Sequence, residues 1–287
     1  LNMIERKRRW YLLSLAVGIL IFSTILMQGL ADLARGGHMT ESVLEVRHVS
    51  SYYRRTRRFS KARSGFGERD TQVLRDVTFS IQKGETLGLV GESGSGKTTL
   101  CRAVLGLGMD YEGEIIHHTD HPQMVFQDPY SSLNPVRTVG WTLREALRAG
   151  ERRGKRASRP LVPEILEQVG LSEEYIDRYP YELSGGQRQR VCIAAAMIQQ
   201  PQLVLLDEPV SALDVTVQAQ ILRLLVRLKE EFRLSYLFIS HDLNVIYQIC
   251  DRVLVMKQGE IVESGDVRQV FEEPQHDYTK MLLAAVD

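Results

Sequence analysis

The stretch Thr86-Leu87-Gly88-Leu89-Val90-Gly91-Glu92-Ser93-Gly94-Ser95-Gly96-Lys97-Thr98-Thr99 decides the fold. Thr86 to Val90 is an almost continuous apolar run, the pattern of a strand buried on both faces. A glycine-rich loop follows, and then a predicted helix from Lys97 to about Leu107. Strand, glycine loop and helix in succession is the context in which G-x-x-x-x-G-K-T reads as a phosphate-binding loop. Gly91, Gly94 and Gly96, interleaved with Ser93 and Ser95, leave room for backbone N–H groups to point at phosphate oxygens. The helix N-terminus adds its positive end. Lys97 is expected to reach the β- and γ-phosphates, Thr98 to place its hydroxyl on Mg²⁺, and Thr99 to continue the site.

Working outward, Leu203 to Leu206 is a second apolar strand, and it ends in Asp207 and Glu208. Asp207 is the candidate Mg²⁺ residue, acting through water. Glu208 could polarise an attacking water, as a general base must. Pro209 and Ser211-Ala212-Leu213-Asp214 follow it, which argues against a casual surface carboxylate. Ser184, Gly185, Gly186 and Gln187 precede a predicted helix from Gln187 to Ile198. They read either as a plain helix cap or as a second anion site.

Further strands are predicted at Val43–Val46, Val77–Ile81 and Leu237–Ser240, and helices at Val139–Arg148, Leu161–Val169 and Val215–Glu231. Strands alternating with helices imply a largely parallel sheet covered on both faces. Helices between Gln127 and the second apolar strand should form a helical subdomain over about residues 128–186. The fold class is therefore α/β, with a mainly parallel sheet and an inserted helical subdomain.

The 287 residues balance 36 Lys and Arg against 36 Asp and Glu, so no nucleic-acid surface is indicated. Three scattered cysteines, Cys101, Cys192 and Cys250, argue against a disulfide scaffold or zinc site. His117, His118, Asp120 and His121 lie close together, but polar stretches of this kind are mostly exposed loops. Arg54 to Arg69 is basic, poor in apolar residues, and reads as a solvated loop. Trp10 to Ala31 carries no charge and is long enough to span a bilayer, with Arg6, Lys7, Arg8 and Arg9 before it. Residues 1–38 thus form a hydrophobic leader set apart from residues 39–287, and Gly29-Leu30-Ala31-Asp32-Leu33-Ala34-Arg35 within it resembles the end of the last helix of peptide-importer permeases. Three readings stay open: translation starting at Met39, a fused permease tail, or a segment lying on the inner membrane surface.

Phosphate loop, Leu183-Ser184-Gly185-Gly186-Gln187, Leu203-Val204-Leu205-Leu206-Asp207-Glu208 and His241, in that order, resemble the ATPase subunits of ABC transporters. Phe126-Gln127-Asp128-Pro129-Tyr130-Ser131-Ser132-Leu133-Asn134-Pro135 and Tyr179-Pro180-Tyr181-Glu182 are similar to the oligopeptide, dipeptide and nickel importer branch. So is the tail from Val270 to Thr279, although Asp277 replaces the usual proline. The resemblance implies a P-loop nucleotide-hydrolase core and an antiparallel β subdomain, with ATP and Mg²⁺ as cofactors. It makes Gln127 a contact for Mg²⁺ or the attacking water and His241 a contact for the γ-phosphate. It places the Ser184–Gln187 loop over the nucleotide of a facing subunit, with Asp214 at the same interface. Tyr53, with Tyr52 as the alternative, would stack on adenine. Partners implied are a second ATPase subunit (the same chain or a different one), two permeases and an extracytoplasmic binding protein. The location implied is the cytoplasmic face of the membrane, reached through the permeases. The alternatives are a non-transport ABC ATPase and an export motor.

Overall fold

A computed structural model describes residues 41–53, 71–152 and 162–285. The expectations for residues 1–38 and for Arg54 to Arg69 lie outside the described residues. Nine strands are described: β1 Ser42–Tyr53, β2 Thr71–Gln82, β3 Thr86–Val90, β4 Tyr111–His117, β5 Gln123–Val125, β6 Leu203–Asp207, β7 Ser235–Ile239, β8 Arg252–Lys257 and β9 Glu260–Asp266. They form two sheets. One is antiparallel, in the order β2-β1-β4; the other has six strands, in the order β5-β6-β7-β3-β8-β9. In the larger sheet only β9 runs antiparallel to its neighbour.

β3, β6 and β7 are buried at every residue, as their unbroken apolar runs require. Successive side chains leave opposite faces of a strand, so each strand feeds two interiors. Leu203, Leu205, Leu237, Ile239, Leu254 and Met256 share one core with Leu87, Leu89 and the antiparallel sheet. Val204, Leu206, Tyr236, Phe238, Val253 and Val255 belong to the other, with the helices.

The described helices are α1 Lys97–Val104, α2 Pro129–Ser132, α3 Val139–Arg152, α4 Val162–Gln168, α5 Gly185–Met197, α6 Val215–Phe232, α7 Leu243–Ile249, α8 Val267–Glu272 and α9 Asp277–Ala284. α2 to α5, with two 3₁₀ turns at Glu173–Asp177 and Pro180–Glu182, lie between β5 and β6 as the inserted helical part. Among the described residues no helix is long and apolar enough to cross a membrane.

Three boundaries differ from expectation for physical reasons. α1 stops at Val104 rather than Leu107. Gly106 takes a left-handed φ of 65°, its N–H bonds Ala103 O, and the Leu107 N–H bonds Arg102 O, a Schellman ending. β1 continues seven residues beyond Val46, because a register shift between Val46 and Val49, with His48 at φ 51°, interrupts the alternation without ending the pairing. β2 begins at Thr71 rather than Val77, and left-handed Asp76 marks the break. The imidazoles of the polar hairpin diverge: His117 Nε2 meets Val104 O, and His118 Nε2 meets Glu45 Oε1. Among the described residues no three His, Cys, Asp or Glu side chains group as a metal site would.

Candidate functional site

β5, β6, β7 and β3 are consecutive in the sheet and parallel. Their C-terminal ends release, in spatial order, Gln127, the Asp207–Glu208 pair, His241 and the phosphate loop. Crevices at the carboxyl ends of such strands are where α/β folds bind ligands.

Gly91 has φ 153°, and a Cβ there would come within 2.2 Å of Met256 O on β8, so only glycine lets the loop lie against that strand. Gly94 and Gly96 are also left-handed, and Gly96 is the residue before α1. Ser95 is buried, and its carbonyl accepts the Gly259 N–H at 2.8 Å, whereas Ser93 is exposed. Thr99 lies half-buried in the first turn of α1. The Lys97 ammonium is buried and donates to Gly91 O at 2.7 Å and Glu92 O at 2.9 Å. Burial pulls its pKa down, while Glu208 and Asp207 pull it back up.

Asp207 is 5% exposed. Burial raises its carboxyl above the ordinary range, partly offset by the Thr98 hydroxyl, which donates to Oδ2 at 3.2 Å. A desolvated carboxylate beside a threonine hydroxyl is an all-oxygen donor set next to the phosphate loop, and it suits a hard divalent cation. Glu208 adopts φ 47°, and its N–H bonds Ile239 O at 3.0 Å across the strand ends. The Gln127 amide donates to its Oε2 at 2.7 Å, and His241 Nδ1 lies 3.3 Å from the same oxygen. Gln127 and His241, far apart in sequence, therefore converge on one oxygen of Glu208.

Ser184 to Gln187 make their contacts elsewhere. Ser184 Oγ accepts from Gln187 N, and Gln187 Oε1 accepts from Ser184 N at 2.9 Å, a reciprocal capping box opening α5. The Gln187 amide donates to Tyr175 OH at 2.8 Å. A Cβ on Gly186 would lie 2.5 Å from Val217 Cγ1, so glycine is what allows α5 to pack on α6. Beside the loop is a cavity of about 510 Å³, lined by Ser172, Tyr175, Gln187, Arg190 and Gln220 among others, with no phosphate-loop residue in its wall. Asp214 caps α6 by accepting the Val217 N–H at 3.0 Å. The structure thus shows these groups as the cap that opens α5. Tyr53 ends β1 opposite Thr71, and its side chain lies outside the described part. Tyr52 is partly exposed, within 3.5 Å of the Gln72 amide.

Two partners of the site escape sequence reasoning. Tyr175, on the 3₁₀ turn Glu173–Asp177, holds Gln187; Tyr278, on α9, accepts the N–H of phosphate-loop Glu92 at 3.1 Å. No local pattern marks either residue.

The family model for ABC transporters matches residues 74–211. The oligopeptide transport ATP-binding protein AppF of Bacillus subtilis is 42% identical over 265 residues, covering 86% of this chain and 78% of that protein. The glutathione import ATP-binding protein GsiA of Salmonella typhimurium is 47% identical over 234 residues, which make up 76% of this chain but only 37% of that longer protein. Among solved structures, the dimeric post-hydrolysis state of the ATP-binding cassette MJ0796 bound to ADP and Pi is similar at TM-score 0.62 and 27% identity, covering 78% of this chain and 99% of that one.

Proposed function

This chain belongs to the ABC transporter family of ATP-binding proteins, and on that premise we propose that it is the ATP-hydrolysing motor subunit of an importer for peptides or related small solutes. The observation that carries the chemistry is the meeting of Gln127 and His241 on Glu208 Oε2, one residue beyond the Asp207–Thr98 pair. Lys97 and those N–H groups from Gly91 to Thr99 that are not bonded within the protein take the triphosphate. Thr98, Asp207 and Gln127 would hold Mg²⁺, which neutralises charge on the transferred phosphoryl group. Glu208 accepts the proton of the attacking water. Gln127 and His241 fix the carboxylate and report to their own strands whether the γ-phosphate is present.

Ser184 Oγ, the N–H groups that open α5, and Gln187 supply the second half of the cage, for the nucleotide of a facing ATPase subunit. The capping box leaves those N–H groups at a helix N-terminus, where an anion is favoured. ATP then acts as the bridge between two subunits, and hydrolysis releases them. Tyr53 would stack on the adenine.

The importer branch is supported by the relatives' names and by an exposed aromatic surface on the helical insertion. Tyr130 is 63% and Tyr181 69% exposed. The buried Arg188 guanidinium lies 3.9 Å from the Tyr130 ring centroid, and Tyr179 stacks on Tyr181 at 5.5 Å. An exposed cluster of this kind fits a partner helix. In this reading two permeases contact that face at the cytoplasmic side of the membrane, and an extracytoplasmic binding protein delivers the solute to them. The test is co-purification of the full chain from its host membrane. Recovery of two permeases with Mg²⁺-dependent ATP turnover is expected. ATP turnover with ribosomes or DNA in place of permeases overturns the importer reading.

A further inference from the structure

The C-terminal helix α9 lies far from the phosphate loop in sequence but joins it in space. Tyr278 is 3% exposed, and its hydroxyl accepts the Glu92 N–H at 3.1 Å across 186 positions. The start of the helix is stapled in place. The Glu263 carboxylate on β9 accepts the N–H groups of Gln275 at 2.8 Å and His276 at 3.0 Å. His276 Nδ1 in turn accepts the Tyr278 N–H at 3.1 Å. The Lys257 ammonium sits 4.7 Å from the Tyr278 ring centroid. Burial raises the hydroxyl above the ordinary phenol range, so it stays un-ionised at neutral pH.

What Tyr278 holds is the peptide that organises the loop. The Glu92 N–H shares its planar peptide with the Gly91 carbonyl, which accepts the Lys97 ammonium at 2.7 Å; the Glu92 carbonyl, on the next peptide, accepts the same ammonium at 2.9 Å and the Ser95 N–H at 3.1 Å. A Gly91–Glu92 peptide free to rotate would carry the Gly91 carbonyl, and with it the lysine, out of register. We propose that α9 braces the phosphate loop and that Tyr278 is the positioning residue through which it acts, its hydroxyl fixing the Glu92 N–H so that the loop is pre-shaped for the β- and γ-phosphates of ATP. The inference rests on the ATPase reading above. Tyr278 does not touch the reacting atoms. It acts on nucleotide affinity rather than on the chemical step.

The test is Tyr278→Phe in the full chain, which keeps the ring and its packing and removes one oxygen. The expected result is a fivefold or greater rise in KM for ATP, matched by calorimetric Kd, with kcat within twofold of wild type and the melting temperature without nucleotide unchanged. Glu263→Ala, which loosens the staple but leaves Tyr278 intact, should raise KM in the same direction by less. Unchanged KM and Kd in Tyr278→Phe overturn the brace. So does a fall in kcat and melting temperature together, which would mark general structural damage. Wild-type chain measured alongside separates the two ideas: failure of wild type to bind ATP overturns the ATPase reading and this inference with it, whereas normal wild-type binding with an unaltered variant overturns the brace alone.

Discussion

Glu208→Gln removes one charge from the site while preserving shape. Glu208 Oε2 accepts the Gln127 amide at 2.7 Å and lies 3.3 Å from His241 Nδ1. A carboxamide oxygen can still accept the Gln127 N–H, so the cost to folding is about that of one rearranged hydrogen bond, ~1 kcal/mol. What is lost is the ability to take a proton from water. A positioned general base contributes roughly 10²–10⁴-fold, or about 2.7–5.4 kcal/mol of barrier at ~1.36 kcal/mol per tenfold. Binding moves the other way. Glu208 and Asp207 together place negative charge near Lys97, where a triphosphate must also sit. Removing one of those charges lowers the repulsion, so ATP affinity should hold or tighten. The variant should therefore turn over ATP at least ~100-fold more slowly, bind it as well as wild type, and remain paired with a second ATPase subunit in its presence. Phosphate release, calorimetry and light scattering read the three quantities. Turnover within twofold of wild type, with binding intact, would show that Glu208 is not the base.

Three further outcomes follow from the geometry. Lys97→Ala removes a charge-assisted phosphate contact, worth about 1.5–3 kcal/mol, and should weaken ATP binding at least ~10-fold; calorimetry giving wild-type affinity would refute the role. Gly186→Ala forces a methyl to 2.5 Å from Val217 Cγ1 and should cost about 1–3 kcal/mol in denaturant melts, with Val217→Ala in the same chain recovering most of it; no loss in the single variant would contradict the packing. Asp207→Asn tests linkage with pH. The folded carboxyl titrates above its unfolded value, so its favourable share of stability is present at acid pH and is lost as pH rises through the raised value. Where it is ionised the carboxylate is a net cost, and the variant should melt higher than wild type without nucleotide. The gain should fade as pH falls, and Mg²⁺-dependent turnover should collapse; a lower melting point at pH 7 would reverse the sign of the argument.

The placement of the candidate residues was legible where it is written locally. Gly91 to Thr98 is one contiguous signal, and Asp207 ends the five-residue strand Leu203–Asp207 with Glu208 just beyond it. The strand Thr86–Val90 came out residue for residue. Convergence on Glu208 was not legible from residue patterns, because strand order in the sheet, not order along the chain, makes Gln127 and His241 neighbours. Alternation also failed at His48 and Asp76, where left-handed residues shift the register and hide the true length of β1 and β2. The strands β8 and β9 and the helices α7 to α9 went unread as elements, although the tail was quoted for its resemblance. The Tyr278 hydroxyl finds its partner 186 positions away, and only the assembled sheet reveals that. Arg188 is the same kind of case: buried, held by Pro180 O and lying over Tyr130, it looks in sequence like one more charged residue on a helix.

Because neighbouring residues of β6 serve separate interiors, that strand tolerates no change of phase. Adding or deleting one residue between Leu203 and Leu206 would send Leu203 and Leu205 toward the helices and Val204 and Leu206 toward the antiparallel sheet. It would also turn the terminal carboxylate pair half a revolution, aiming Asp207 where Glu208 now stands. Length variation among descendants of this gene is thereby confined to the connecting loops, and the spacing from Leu203 to Glu208 should be inherited as an indivisible block.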